Sequence, residues 1–246
     1  MAHPQLIVGN GPAGWRWLRL HRPERRNALD VSLTLAIRDA LAAEPSVPVL
    51  LGSADPQVFC AGADLSLSGA ERAAVSDLIY DCCQSIVTRP GPVIAVLTGA
   101  AVGGGAQLAA SCDLRIAGPA ARLRWTGPPG VNLTVGAWLL PDLVGRGLAM
   151  DLVLTGRWVE AAEALALGLV SRVSAEPAAL AEEIAAGITG RSGASGNSGA
   201  FGFSGVKSVM AAGELIDRLQ AERAANRAAW ARAIPPGPSV PKEAEP

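Results

Sequence analysis

Lysine, histidine and tyrosine are scarce in this chain of 246 residues: the lysines are Lys207 and Lys242, the histidines His3 and His21, and the tyrosine Tyr80. The formal net charge is −1, which argues against a surface made for nucleic acid or for an anionic membrane. Four cysteines, Cys60, Cys82, Cys83 and Cys112, stand among apolar or small residues without metal-ligand spacing. With two histidines besides, a zinc site or a Cys–His nucleophile is not expected; reduced, buried thiols are. No run of about 18 apolar residues occurs, and the N-terminus lacks a basic region followed by an apolar one. The expectation is a soluble, cytoplasmic protein without a membrane partner.

Half of the residues are hydrophobic, enough to build the core of one α/β domain with a helical appendage. The stretch PVIAVLTGAAVGGGAQLAASCDLR (92–115) organises the rest. PVIAVL has the apolar, β-branched content of a buried strand, and QLAASC that of a helix. The glycines Gly103, Gly104 and Gly105 between them bring bare backbone N–H groups to a helix N-terminus, where the dipole is positive. Such a site suits a carbonyl oxygen that becomes an oxyanion; it also suits nothing more than a tight turn.

Around this centre, 6–8 and 15–20 read as a hairpin, and a helix starts after Asp30 with Leu33, Ile37 and Leu41 on one face. A strand is expected at 47–51 and a helix at 70–88 with Val75, Ile79, Cys82 and Ile86 inward; Asp77, Tyr80 and Asp81 fall on its other faces as surface polar residues. Further strands are expected at 113–117, 121–125 and 169–173. Helices are expected at 135–144, 150–155, 160–166, 177–186 and 215–230, the last carrying Leu215, Leu219, Glu222, Ala225 and Trp230. Strands alternating with helices predict βαβ-type turns. Glycine recurs at every third position from 190 to 205, which reads as a flexible loop, and the Pro-rich 235–246 as an extended or disordered tail. The organisation is thus a core over 1–175, a helical region over 176–234 and the tail.

FCAGADL (59–65) follows a strand and a polar loop; GGG likewise follows a strand. Together with RPERRNAL (22–29), SCDLRIAG (111–118) and LTGRWVEAAEALALGLVSRV (154–173), these blocks resemble, in order and spacing, the crotonase (enoyl-CoA hydratase/isomerase) superfamily. The resemblance implies a crotonase-type spiral of βαβ-like turns with helical C-terminal segments, assembled as a trimer or a dimer of trimers. It implies an acyl-CoA thioester as substrate or ligand, its carbonyl oxygen held by the N–H groups of Ala63 and Gly104. It places Arg22, Arg25 and Arg26 near the nucleotide end of coenzyme A, with Ala61 and Asp64 also on the coenzyme side. Trp125, Asn132 and Trp138 are candidates for the acyl end, although an Asn in a Pro/Gly-rich loop is first a turn residue. No other cofactor and no metal is implied.

Hydratases of this family use two glutamates, whose positions here hold Gln107 and Gly127. Neither can transfer a proton, and general acid–base catalysis contributes about 10²- to 10⁴-fold. Two classes of function follow: an acyl-CoA-binding protein with weak or no hydratase activity, or an enzyme using the same oxyanion site with another acid or base. The second class includes hydratase, isomerase, decarboxylase and thioesterase chemistry.

Overall fold

The computed structural model describes residues 3–12, 14–193, 205–207, 209–210 and 213–234. β1 (Leu6–Asn10) and β2 (Arg16–Leu20) form the antiparallel hairpin. A 3₁₀ turn (Pro23–Arg25) leads to α1 (Val31–Ala43), capped by the Asp30 side chain, which accepts from Leu33 N–H. β3 (Val49–Ser53), β4 (Val58–Cys60) and α2 (Gly69–Thr88) follow; Ser68 and Glu71 close a reciprocal capping box at the start of α2. Then come β5 (Val93–Leu97), β6 (Ala100–Val102), α3 (Gly104–Ser111), β7 (Leu114–Ala117) and β8 (Arg122–Arg124). The remaining elements are α4 (Leu140–Val144), α5 (Arg146–Thr155), β9 (Val159–Glu160), α6 (Ala161–Ala166), β10 (Arg172–Val173), α7 (Pro177–Gly193) and α8 (Gly213–Ala233).

Two sheets result. One runs β1-β2-β3-β5-β7-β10, parallel from β2 onward, and the other runs β4-β6-β8-β9. The side-chain period of two divides the larger sheet between two cores. Leu18, Leu20, Leu51, Ala95 and Leu97 face the main core, with α1, α2 and α3. Trp17, Leu50, Ile94, Val96 and Ile116 face a smaller cluster, which α7 closes with Ala181 and Ala185. Covered on both faces, these strands read as continuous apolar runs.

Several expectations shift. The helix expected from Gln107 begins earlier: Gly103 is the N-cap of α3 and Gly104 and Gly105 lie in its first turn. β4 and β6 are three residues each, too short to register as strands by composition. The helix expected at 135–144 is confined to α4, because Gly136 at φ +82° lies outside the right-handed helical region; the Gly136 and Trp138 N–H groups donate to Glu222. The strand expected at 169–173 shortens to β10, and α7 runs on through Gly190 to Gly193. Residues 194–204 of the glycine-periodic segment and the tail 235–246 lie outside the described residues. All four cysteines are buried and unpaired, and burial pushes the Cys60 thiol up to about 12.

Candidate functional site

Two backbone segments meet at the start of α3. In the first, Ala63 forms an isolated parallel bridge with Leu29. The bridge uses the Gly62 carbonyl, which accepts from Leu29 N–H at 2.7 Å, and the Asp64 N–H, which donates to Leu29 O at 2.9 Å. Alternation along extended backbone turns the Ala63 N–H away from Leu29, and Ala63 lines a cavity of about 290 Å³. In the second segment, the Gly103 N–H donates to Arg124 O at 2.9 Å, so α3 starts against β8. Gly104 opens the helix, and a first-turn N–H has no acceptor within the helix.

Glycine is required for this approach. Gly62 has φ +87°, and a Cβ on it would stand 2.8 Å from Val102 O and 3.4 Å from Gly104 N. A Cβ on Gly103, φ +53°, would stand 2.8 Å from Thr126 O. The segments carrying Ala63 and Gly104 are therefore in backbone contact, and both border the cavity.

Gln107 and Gly127 border the same cavity. Gln107 is buried beside the Tyr80 phenol, close enough to work against that phenol's upward shift, although its Nε2 makes no hydrogen bond of ordinary geometry. Among the described residues, the ionisable side chains lining the cavity are Arg72, Arg124 and Tyr80, and no aspartate or glutamate does so. Arg124 is anchored by its Nε, which donates to Gly156 O at 2.5 Å, and its guanidinium carbon lies 5.6 Å from the Trp158 ring centroid. The Arg72 guanidinium lies 5.6 Å from the centroid of Trp230. Neither arginine forms an ion pair among the described residues.

Behind the cavity α8 is clamped to α2 and to the loop before α4. The Glu222 carboxylate accepts from Tyr80 OH, Gly136 N–H and Trp138 N–H, each at 2.9 Å. Asn226 Nδ2 donates to Tyr80 Oη at 2.7 Å and to Thr134 O at 2.6 Å, while its Oδ1 accepts from Thr134 N–H. Burial raises Glu222 above the ordinary carboxylate value, with the three donors working against it. Burial and the adjacent Glu222 hold the Tyr80 phenol far above its ordinary value, so it stays protonated.

The remaining predicted site residues divide. Ala61 borders the cavity. Trp125 and Asn132 line an adjoining chamber of about 210 Å³, whereas Trp138 is packed in the core and borders neither space. Arg22 is committed to Asp64 at 2.8 Å and Asp30 at 3.3 Å, and Arg25 and Arg26 are exposed. Asp64 is buried without bordering the cavity; burial raises its carboxyl, but the Ser66 and Arg22 hydrogen bonds outweigh that and leave it below the ordinary value.

Tyr80, expected on the surface, is 2% exposed and borders the cavity. Composition gave no cue for it, since its position on α2 follows from α8 covering that side. Glu222 did carry a signal: it shares a helical face with Leu215 and Leu219, and an acid on an apolar stripe needs donors.

The sequence profile of the family described as enoyl-CoA hydratase/isomerase matches residues 12–197. The chain belongs to the enoyl-CoA hydratase/isomerase family. Among its relatives, a crotonyl-CoA hydratase of Syntrophomonas wolfei is 38% identical over 181 residues, spanning 68% of either chain. The crystal structure of an enoyl-CoA hydratase from Mycobacterium avium subsp. paratuberculosis superposes with a TM-score of 0.77 at 28% identity, over 93% of this chain and 89% of that one. A Bacillus anthracis enoyl-CoA hydratase superposes with a TM-score of 0.73 at 27% identity, over 92% and 90%. The mixed α/β architecture with its helical C-terminal region is thus the crotonase fold. Among the described residues, no helix is long and apolar enough to cross a membrane.

Proposed function

We propose that this family member binds an acyl-CoA thioester with the carbonyl oxygen between the N–H groups of Ala63 and Gly104, and that it hydrates enoyl-CoA slowly. One observation carries the reading: the cavity bordered by those two residues is also lined by Gln107 and Gly127 and, among the described residues, by no carboxylate. Polarising the carbonyl stabilises an enolate, but hydration also requires a proton to leave water and one to reach the α-carbon. Gln107 can orient a water or an acyl oxygen and cannot titrate. Tyr80 keeps its proton, and Asp64 is occupied by Arg22 and Ser66.

The coenzyme would lie on the side of Ala61, and the acyl group would extend toward Thr126, Trp125 and Asn132. A homotrimer or dimer of trimers in the cytoplasm fits the family resemblance. The test pairs binding with turnover. Titration calorimetry with crotonyl-CoA should show saturable binding that Gly104→Pro abolishes, since proline has no N–H to donate. Hydration, followed by loss of enoyl absorbance, should run far below roughly 10 per second, an ordinary enzymatic rate. Retained affinity in Gly104→Pro would refute the carbonyl site. Turnover at the ordinary rate would refute the missing-acid argument.

A further inference from the structure

Among the described residues, the formal charges lining the cavity have one sign. Its wall carries the fixed charges of Arg72 and Arg124 and no acid among the described residues. Both carry planar guanidinium groups, whose donors suit an anion. Gln107 adds a donor: its Nε2 is buried beside the Tyr80 phenol and makes no hydrogen bond of ordinary geometry. The neutral acyl chain of an ordinary fatty enoyl-CoA satisfies none of these groups.

Arg124 is the better placed of the two arginines. It borders both the cavity and the adjoining chamber, whose lining also includes Thr126, Asn132 and Thr155. Its Nε is taken by Gly156 O, which fixes the plane of the guanidinium. The two terminal nitrogens make no hydrogen bond to a described residue, which leaves a two-pronged donor pair of the kind that matches a carboxylate.

We infer that the acyl group bound here carries a carboxylate of its own, paired with Arg124 and assisted by Gln107 Nε2. The ligand class is the mono-CoA thioester of a short dicarboxylic acid. This rests on the thioester reading above and narrows it. Substitution of the two acids then has a positive reason, because a glutamate at either position would repel such a group.

The experiment is titration calorimetry with two matched pairs, glutaryl-CoA against pentanoyl-CoA and succinyl-CoA against butyryl-CoA. In the wild type, at least one dicarboxylic thioester should bind about ten- to a hundredfold tighter than its neutral partner. Arg124→Gln should collapse that ratio toward one, and Arg124→Lys, which keeps charge without the fork, should retain part of it. Wild-type ratios near one in both pairs would overturn the inference while leaving the thioester site standing. Equal weakening of charged and neutral thioesters by Arg124→Gln would also overturn it, since the arginine would then be meeting the coenzyme's phosphates. No binding of any of the four would overturn this inference and the thioester reading together. If Arg124→Gln fails to fold, the wild-type ratios and Arg124→Lys decide.

Discussion

Replacing Glu222 with alanine tests whether α8 is part of the cavity wall or a covering that the fold can spare. The carboxylate satisfies three donors at 2.9 Å, from Tyr80, Gly136 and Trp138, at a position 6% exposed. Alanine leaves all three without their acceptor, and each orphaned buried donor costs about 1–3 kcal/mol. Water entering the vacated space recovers part of that, so the net loss should be about 3–5 kcal/mol, as for other broken buried charge networks. This is a large share of the roughly 5–15 kcal/mol that holds a domain folded. Glutamine keeps one acceptor oxygen and sets its amide against a donor, so Glu222→Gln should cost about 1–3 kcal/mol. Urea denaturation gives both values. Amide exchange over 213–233 shows whether α8 loosens ahead of the rest. Glu222→Ala should also weaken thioester binding, because Tyr80 and Asn226 border the cavity. An alanine variant within about 0.5 kcal/mol of wild type, the range of ordinary surface substitutions, would refute the clamp.

Gly62→Ala forces a side chain into φ +87° and against Val102 O at 2.8 Å; unfolding free energy should fall by at least about 1–2 kcal/mol, seen as a lower melting temperature, and an unchanged melt would show that the two donor segments are not held so closely. Gln107→Glu combined with Gly127→Glu should raise crotonyl-CoA hydration, although a Cβ at Gly127 meets Leu133 Cβ at 3.1 Å and that side chain must give way; Gln107→Glu alone should gain little, and a double variant no faster than wild type would refute the missing-acid argument. Arg223 and Arg227 bond Asp77 and hold its carboxyl well below the ordinary range, with burial opposing them. A depressed carboxylate stabilises the fold above its unfolded-state value and loses that contribution as pH falls below about 4. Asp77→Asn should therefore cost about 1–2 kcal/mol at neutral pH, discounted for partial exposure, and flatten the acid limb of the stability curve; an unaltered limb would assign it to other carboxylates.

Much of the fold is legible locally. The apolar runs of β3 and β5, the Asp30 cap and the glycines around Ala63 and Gly104 each follow from short-range chemistry: hydrophobic period, side-chain capping, and backbone approach that no Cβ permits. The absence of acid at 107 and 127 is likewise a property of the residues themselves. What lines the cavity with them is not. Tyr80 and Glu222 are 142 residues apart and meet because α8 packs on α2; helical periodicity says that each has a face, and only packing says which faces touch. Arg124 lies on a three-residue strand whose neighbours turn it toward the cavity, and Arg22 spends its charge on Asp64 instead of projecting to a ligand. Whether a charged side chain is available depends on which opposite charge the chain returns beside it, and that is decided by long-range topology.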